Sequence, residues 1–330
     1  MKVSVIGAGS WGMALAKVLD DNGHDVLVYD VDENVIEKIN TLHICHQLDE
    51  YVPETIRATG DMIRVVRHSD ALLFAVPTKV LRAAIEAVLA HIEAPKLFIN
   101  AAKGLEPATF KRMSEVFEEM IPDAKRKGFV ALSGPSHAEE VIRGLPTLIT
   151  CASEDEAHAI AAQRLFHNKD YFRVYSSTDL IGVELGGALK NIFAIAAGIL
   201  RGQDYGDNAM AALLTRGLVE MGKIYDHLGA SKESLFGLTG IGDLFVTCIS
   251  PHSRNFQAGY KIGKGKDLHA TLSSMTMVVE GIRTCEAVHQ FTRDNDLDTP
   301  IIDALYDVVF NRLDPAVACE KLLSRDEKRE

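Results

Sequence analysis

The apolar run Val3-Ser4-Val5-Ile6 leads directly into Gly7-Ala8-Gly9-Ser10-Trp11-Gly12, and a helical pattern, Met13-Ala14-Leu15-Ala16-Lys17-Val18-Leu19, begins at once. A G-x-G-x-x-G triplet alone is weak. Placed between an apolar strand and a helix, with a second apolar run at 26–29, it has the context of a dinucleotide-binding βαβ unit. Each glycine has its own task. Gly7 permits a tight turn, Gly9 lets the backbone approach a pyrophosphate, and Gly12 lets helix and strand pack closely. The start of the helix then offers N–H groups and a positive dipole end to the anion. Asp30 closes the second run, near the position where an acidic side chain binds the ribose hydroxyls. A carboxylate there repels the extra phosphate of NADP, and no arginine follows it in Val31-Asp32-Glu33. NAD is therefore the expected cofactor, with NADP possible. The competing reading makes Asp30 the cap of the next helix, a task Asp32 can also perform.

The alternation continues through the first half. Apolar runs at 71–76, 96–100, 129–133, 147–152 and 172–175 carry little polar alternation, as in strands covered on both faces. Amphipathic stretches at 11–22, 79–91, 107–121 and 154–167 lie between them. Strand and helix in turn predict an α/β Rossmann-type domain with a mostly parallel sheet. From residue 180 onward the pattern is helical, with stretches at 178–199, 208–228, 253–262, 280–294, 300–310 and 315–324. We expect a dinucleotide-binding domain at 1–178 and an all-helical substrate and catalytic domain at 179–330.

The 330 residues suit two domains, and 47% hydrophobic with 25% charged residues is an ordinary globular balance. The net charge of -11 argues against a broad nucleic-acid surface, which needs a basic face. An anionic substrate then requires a local basic cluster. The N-terminal apolar run is too short for a signal core, and no transmembrane span is expected. The scattered Cys45, Cys151, Cys248, Cys285 and Cys319 form no Cys-x-x-Cys pair and read as reduced thiols of a cytoplasmic protein. The twelve histidines show no metal pattern; His43-Ile44-Cys45-His46 comes nearest but lacks further ligands.

Lys190 is the most informative single residue. It stands alone as a charge in Leu185-Gly186-Gly187-Ala188-Leu189-Lys190-Asn191-Ile192-Phe193. An ammonium desolvated there has its pKa lowered towards a range useful for protonating a ketone oxygen, or for removing the proton in reverse. A snorkelling or salt-bridged lysine is the plainer reading. Lys103 follows an apolar run, where ligands of parallel sheets bind, although an ordinary loop lysine would look the same. Ser133-Gly134-Pro135-Ser136 opens a helix, and Ser136 with Glu139 matches a capping box. Gly237-Leu238-Thr239-Gly240-Ile241-Gly242 follows no strand, so it reads as a tight connection between helices rather than a second nucleotide loop. Asp243 and Thr247 come just after it. Arg254, flanked by Ser253 and Asn255, suits a phosphate because a guanidinium forks onto two oxygens; Ser253 also reads as a helix N-cap.

Together these segments resemble the NAD(P)-dependent glycerol-3-phosphate dehydrogenase family of the bacterial type. The matching stretches are 7–12, 102–106, 133–136, 172–176, 182–191, 215–221, 240–244, 253–255 and 279–281, in family order and spanning nearly the whole chain. The resemblance implies reduction of dihydroxyacetone phosphate to glycerol 3-phosphate for phospholipid synthesis, in a cytoplasmic homodimer. It implies Lys190 as proton donor and acceptor, with Lys103, Asp243 and Thr247 as active-site partners. Lys103, Gly134, Ser136, Lys190, Asp243, Ser253, Arg254 and Asn255 are the implied substrate contacts. Ser10, Trp11, Lys103, Ala138, Arg254, Val278 and Glu280 are the implied cofactor contacts, beside Gly7, Gly9, Gly12 and Asp30. Asp30 departs from the many bacterial relatives that use NADPH and carry neutral or basic residues there, and the segment 41–51 is unusual. Two other readings remain: a β-hydroxyacid dehydrogenase, which Lys103-Gly104-Leu105 and Ser253-Arg254-Asn255 argue against, and a non-catalytic dinucleotide sensor, which has no need of Lys190 and Asp243.

Overall fold

The computed structural model of the protein describes residues 1–106, 109–275 and 279–327. They form two compact units, 1–103 with 111–184, and 104–110 with 185 onward. The compact units part between Glu184 and Leu185, a little later than the division expected at 178/179, and residues 104–110 join the second unit.

The first unit runs β1 (Lys2–Ile6), α1 (Ser10–Asp21), β2 (Asp25–Tyr29), α2 (Glu33–Glu37), β3 (Ile44–Cys45), β4 (Glu50–Tyr51), β5 (Arg57–Thr59), α3 (Met62–His68), β6 (Ala71–Phe74), α4 (Leu81–Leu89), β7 (Lys96–Asn100), α5 (Met113–Met120), β8 (Arg126–Ser133), α6 (Ala138–Val141), β9 (Thr147–Ala152), α7 (Glu156–Phe166) and β10 (Phe172–Ser177). All but β3 and β4 join one sheet in the order β10-β9-β8-β7-β6-β1-β2-β5. Its pairs are parallel except β8 with β9. β3 and β4 form a small antiparallel hairpin of their own within the unusual 41–51 segment.

The central strands are buried on both faces, which is why they lack polar alternation, whereas the edge strand β10 buries Phe172 and Val174 and exposes Arg173 and Tyr175. Val3 and Val5 of β1, with Val28, Leu73, Ile99 and Val130, pack under Met13, Leu15 and Leu19 of α1 and Phe166 of α7. Ile6, Leu27, Leu72, Phe74 and Phe98 face the opposite way, towards Val65 of α3, Ile85 of α4 and Phe117 of α5. Phe117 meets Phe74 edge-on at 5.0 Å between centroids, a favoured aromatic geometry. The polar Ser4 is accommodated on this face by donating its hydroxyl to Val65 O at 2.8 Å.

The helix expected over 107–121 begins only at Met113. Residues 104–106, 109 and 110 pack with the second unit instead, and Glu115 closes the helix start by accepting from the Arg112 amide at 2.7 Å. Residues 107 and 108 lie outside the described ones. The short β3, β4, β5 and α3 had no sequence expectation, because two or three strand residues, or a helix under two turns, leave no period to detect; α2 was expected only as the helix that Asp30 or Asp32 would cap.

The second unit continues with α8 (Leu180–Gly202), whose first residues belong to the first unit, then α9 (Asp207–Leu228), α10 (Lys232–Leu235), a π-type turn at Leu238–Gly242, α11 (Asp243–Ile249), α12 (Arg254–Gly263), α13 (Leu268–Ser273), α14 (Glu280–Asp294), α15 (Pro300–Phe310) and α16 (Pro315–Leu323). Among the described residues from 180 onward there is no strand. By length and hydropathy α8 could cross a membrane, but 89% of its most apolar window is buried within the fold. It is a core helix. Glycines bring α12 against it: a Cβ on Gly198 would lie 2.1 Å from Phe256 O, and one on Gly259 2.0 Å from Ile195 O. No larger residue fits such backbone contact.

Candidate active site

In the first unit, candidate residues gather at the carboxyl ends of parallel strands. β1 and β6 are the neighbours at which strand order reverses, the usual ligand crevice of such sheets. Gly7 follows β1 with φ of 108°, a left-handed value that only glycine adopts without strain. A Cβ on Gly12 would stand 2.0 Å from Gly7 O, so helix and turn touch through backbone. Gly9 is the N-cap of α1, no side chain caps that end, and a Cβ on Gly9 would meet nothing within 4 Å. Space and uncapped helix-end amides therefore coincide at the position a pyrophosphate needs.

Asp30 follows β2 and turns back to this loop. Its carboxylate accepts from the Ala8 amide at 2.9 Å and the Asp32 amide at 3.0 Å. Asp32, not Asp30, caps α2 by accepting from Asn34 N. Ser10 and Trp11 open α1, and the buried Trp11 Nε1 has no hydrogen-bond partner among the described residues. Ala138 opens α6 and is buried. The glycine cradle, the uncapped helix end and the carboxylate after β2 together fit a dinucleotide.

Lys103 Nζ donates to Gly134 O at 2.6 Å and to Ser136 Oγ at 3.3 Å, tying the turn after β7 to the turn after β8. Gly134 has φ of 142° and its Cα faces Ile149 so closely that a Cβ would fall 2.9 Å from Ile149 Cα. The expected capping box is not formed. His137 occupies the N-cap of α6, so the helix starts one residue later, and Ser136 Oγ donates to Gly134 O at 3.0 Å instead.

In the second unit, Lys190 is buried on α8, at 7% exposure, and Asp243 is fully buried. Lys190 Nζ donates to Asp243 Oδ1, in a short contact, and to Thr247 Oγ1 at 2.8 Å. Local backbone chemistry brings these groups together. A Cβ on Gly186, one turn before Lys190, would lie 2.4 Å from Thr239 O, and one on Gly240 1.9 Å from Leu235 O. The glycine turn can thus press onto α8, and α11 starts with Asp243 at its N-terminal end, where a carboxylate is favoured. Thr247 lies one turn on and donates to Asp243 O at 2.6 Å. The adjacent Cys248 is buried, and desolvation pushes its thiol pKa up, which keeps it protonated.

Arg254 opens α12, with Ser253 as its N-cap, accepting from Phe256 N at 3.2 Å. Asn255 is buried and donates through Nδ2 to Asn191 Oδ1 at 2.9 Å, while its Oδ1 accepts from Gly281 N at 2.9 Å. Glu280 opens α14. Val278 lies outside the described residues. In the second unit, therefore, α8 carries two buried polar groupings side by side: Lys190 with Asp243 and Thr247 of α11, and Asn191 with Asn255 of α12 and the Gly281 amide of α14.

Two residues without a sequence-derived role emerge here. Asn191, next to Lys190, links α8 to α12, and the adjacency Lys190-Asn191 was the available signal. Glu184 is a buried carboxylate of the first unit that accepts from Ser114 N at 2.8 Å, Ser114 Oγ at 2.5 Å and Arg112 Nη1 at 3.1 Å, fixing the start of α8 to the start of α5. Burial raises its pKa and these donors oppose the rise. A lone Glu in an apolar helix was its only signal.

Two family descriptions match the chain. Residues 2–159 match the NAD-dependent glycerol-3-phosphate dehydrogenase N-terminus, and residues 179–320 match the C-terminus. A curated relative, glycerol-3-phosphate dehydrogenase [NAD(P)+] of Staphylococcus aureus strain JH9, is 46% identical over 331 aligned residues, covering 100% of this chain and 99% of the relative. The crystal structure of glycerol-3-phosphate dehydrogenase from Coxiella burnetii superposes with a TM-score of 0.92 at 32% identity, covering 98% of this chain and 99% of that one. The enzyme from Saccharomyces cerevisiae gives 0.84 at 26% identity, covering 97% and 98%. With a mostly parallel Rossmann-type sheet followed by a helical region, and with both parts of the chain matched, this chain belongs to the NAD-dependent glycerol-3-phosphate dehydrogenase family of oxidoreductases.

Proposed function

We propose that this enzyme catalyses the reversible reduction of dihydroxyacetone phosphate to sn-glycerol 3-phosphate and prefers NADH. The observation that carries the reaction is the buried Lys190–Asp243–Thr247 cluster. When bound, the nicotinamide exchanges a hydride with the substrate C2. Reduction places charge on the C2 oxygen, and Lys190 stabilises and protonates it; in reverse Lys190 removes the hydroxyl proton. Asp243 holds the ammonium and offsets its burial, and Thr247 fixes it from the next turn. Lys103, Gly134, Ser136, Ser253, Arg254 and Asn255 bind the phosphorylated substrate. Gly7, Gly9, Ser10, Trp11, Gly12, Lys103, Ala138, Arg254, Val278 and Glu280 bind the dinucleotide.

Asp30 supports the cofactor preference. Two backbone amides fix its carboxylate beside the glycine loop. An anion held there accepts from ribose hydroxyls and repels a 2′-phosphate. The product serves glycerophospholipid synthesis, and the enzyme works as a cytoplasmic homodimer. Loss of reduced-cofactor absorbance with dihydroxyacetone phosphate, run beside NADPH at equal concentration, tests the reading. Fast oxidation of NADH with slow oxidation of NADPH is expected. A preference for NADPH would keep the reaction and overturn the Asp30 argument. NADH binding without turnover would overturn the reaction.

A further inference from the structure

We propose that Asn191 is a positioning residue that locks the Asn255 amide with its N–H side presented to the substrate phosphate. The proposal rests on the reading of Asn255 as a substrate contact. An amide side chain can flip, offering an acceptor or a donor to whatever lies beside it. Here a chain of hydrogen bonds removes that freedom. Gly281 N, which can only donate, donates to Asn255 Oδ1 at 2.9 Å. Asn255 Nδ2 must then be the opposite atom, and it donates to Asn191 Oδ1 at 2.9 Å. Asn191 Nδ2 in turn faces Gly187 O, which can only accept, at 3.4 Å. An obligate donor at one end and an obligate acceptor at the other set the polarity of both amides.

The consequence falls on Asn255. Its oxygen is engaged by the Gly281 amide, and one Nδ2 hydrogen remains without a partner among the described residues. The side chain therefore offers an anion a donor. Asn255 directly follows Arg254 at the start of α12, with its own side chain buried where that of Arg254 is exposed. Both asparagines are buried, at 5% and 9% exposure, where an amide in the wrong orientation would face oxygen with oxygen. Gly281 is needed for the close approach: a Cβ there would lie 2.5 Å from Asn191 O and 2.8 Å from Asn255 Oδ1.

The test compares Asn191→Ala and Asn191→Asp with the unaltered enzyme. Inorganic phosphate is the probe, both as a competitive inhibitor against dihydroxyacetone phosphate and by the thermal shift it gives the enzyme. Asn191→Ala frees the Asn255 amide, so KM for dihydroxyacetone phosphate and Ki for phosphate should both rise about tenfold or more, the scale of one hydrogen bond to a charged group. NADH affinity, read by fluorescence titration, should stay unchanged. Asn191→Asp keeps the size of the side chain and serves if the alanine variant does not fold. Its carboxyl can accept from Asn255 Nδ2 in either state, and once protonated it also donates to Gly187 O and sheds the charge that repels phosphate, so its phosphate affinity should recover towards the unaltered value as pH falls, after correction for the unaltered enzyme's own profile, while that of Asn191→Ala should not. A phosphate Ki unmoved in Asn191→Ala, an equal loss of NADH affinity, or no acid recovery in Asn191→Asp would each overturn the lock. Absence of turnover in the unaltered enzyme would sink the functional reading alone, because the phosphate thermal shift still judges the lock.

Discussion

Lys190 combines a costly burial with the proton-transfer role proposed for it. Burying an ammonium is costly unless a partner and hydrogen bonds compensate it, and Asp243 and Thr247 do so. Lys190→Ala should therefore have two effects. Loss of general acid–base catalysis should lower kcat by about 10²–10⁴-fold. Leaving Asp243 buried without its ion-pair partner should cost about 3–5 kcal/mol of stability. NADH titration should still show binding, because the glycine loop is untouched; kcat near normal would remove Lys190 from the proton-transfer role. Asp30 is a second residue whose effect can be separated. Its carboxylate accepts from the Ala8 amide, and its charge is the proposed determinant of the cofactor preference. Asp30→Asn keeps the shape but loses the charge, so the ratio of kcat/KM for NADH over NADPH should fall about tenfold, a scale set by hydrogen bonds to charged groups. An unchanged ratio would place selectivity elsewhere.

At the scale of elements, glycine-mediated contact does what side-chain packing does elsewhere. Gly198 and Gly202 on α8 face Gly259 and Gly263 on α12, with a Cβ on Gly263 falling 2.5 Å from Ile199 O. The pairing holds the helix of Lys190 against the helix of Arg254 with no side chain between them. Gly259→Ala forces its Cβ against Ile195 O at 2.0 Å, a backbone atom that cannot rotate away. Overpacking of this kind costs about 1–3 kcal/mol or more, and urea unfolding should show it as a lowered midpoint with an unchanged slope. The exposed Gly265, where a Cβ would meet nothing within 4 Å but φ is 87°, should cost less. The sequence displayed these glycines without their meaning. Spacing of four in a helix reads as weakness until the partner helix is known. The nucleotide loop was legible for the opposite reason: Gly7, Gly9 and Gly12 act within one strand–turn–helix unit, so local order contains the whole argument. Long strands were legible as unbroken apolar runs and long helices by their period. The hairpin of β3 and β4 was too short to show a period, while the true start of α5 and the failed capping box at Ser136 depended on tertiary neighbours, namely the unit to which 104–110 belong and the Lys103 ammonium.

At the scale of the whole molecule, the Glu220 carboxyl links folding to pH in the physiological range. Glu220 on α9 is buried at 3% exposure and accepts from Ile301 N at 2.7 Å and Ile302 N at 3.1 Å, at the start of α15. It also lines an apolar cavity of about 490 Å³ among α8, α9, α15 and α16. Desolvation, the dominant influence, raises its pKa from the ordinary 4.5 to about 7, against the pull of the two amides and Lys223. The folded protein thus holds a proton that the unfolded chain has released between pH 4.5 and about 7. Stability from this group is fully present below the unfolded pKa and is lost as pH rises through the folded one. The raised value corresponds to about 3 kcal/mol, to order of magnitude. Glu220→Gln removes the titration and keeps one acceptor for the α15 amides, forgoing the second at a cost of about 1 kcal/mol. Urea unfolding over this pH range should show the unaltered enzyme losing stability relative to the glutamine variant as pH rises, with the variant at its greatest relative advantage above pH 7. Parallel curves for the two proteins would mean that the Glu220 proton plays no part in the fold.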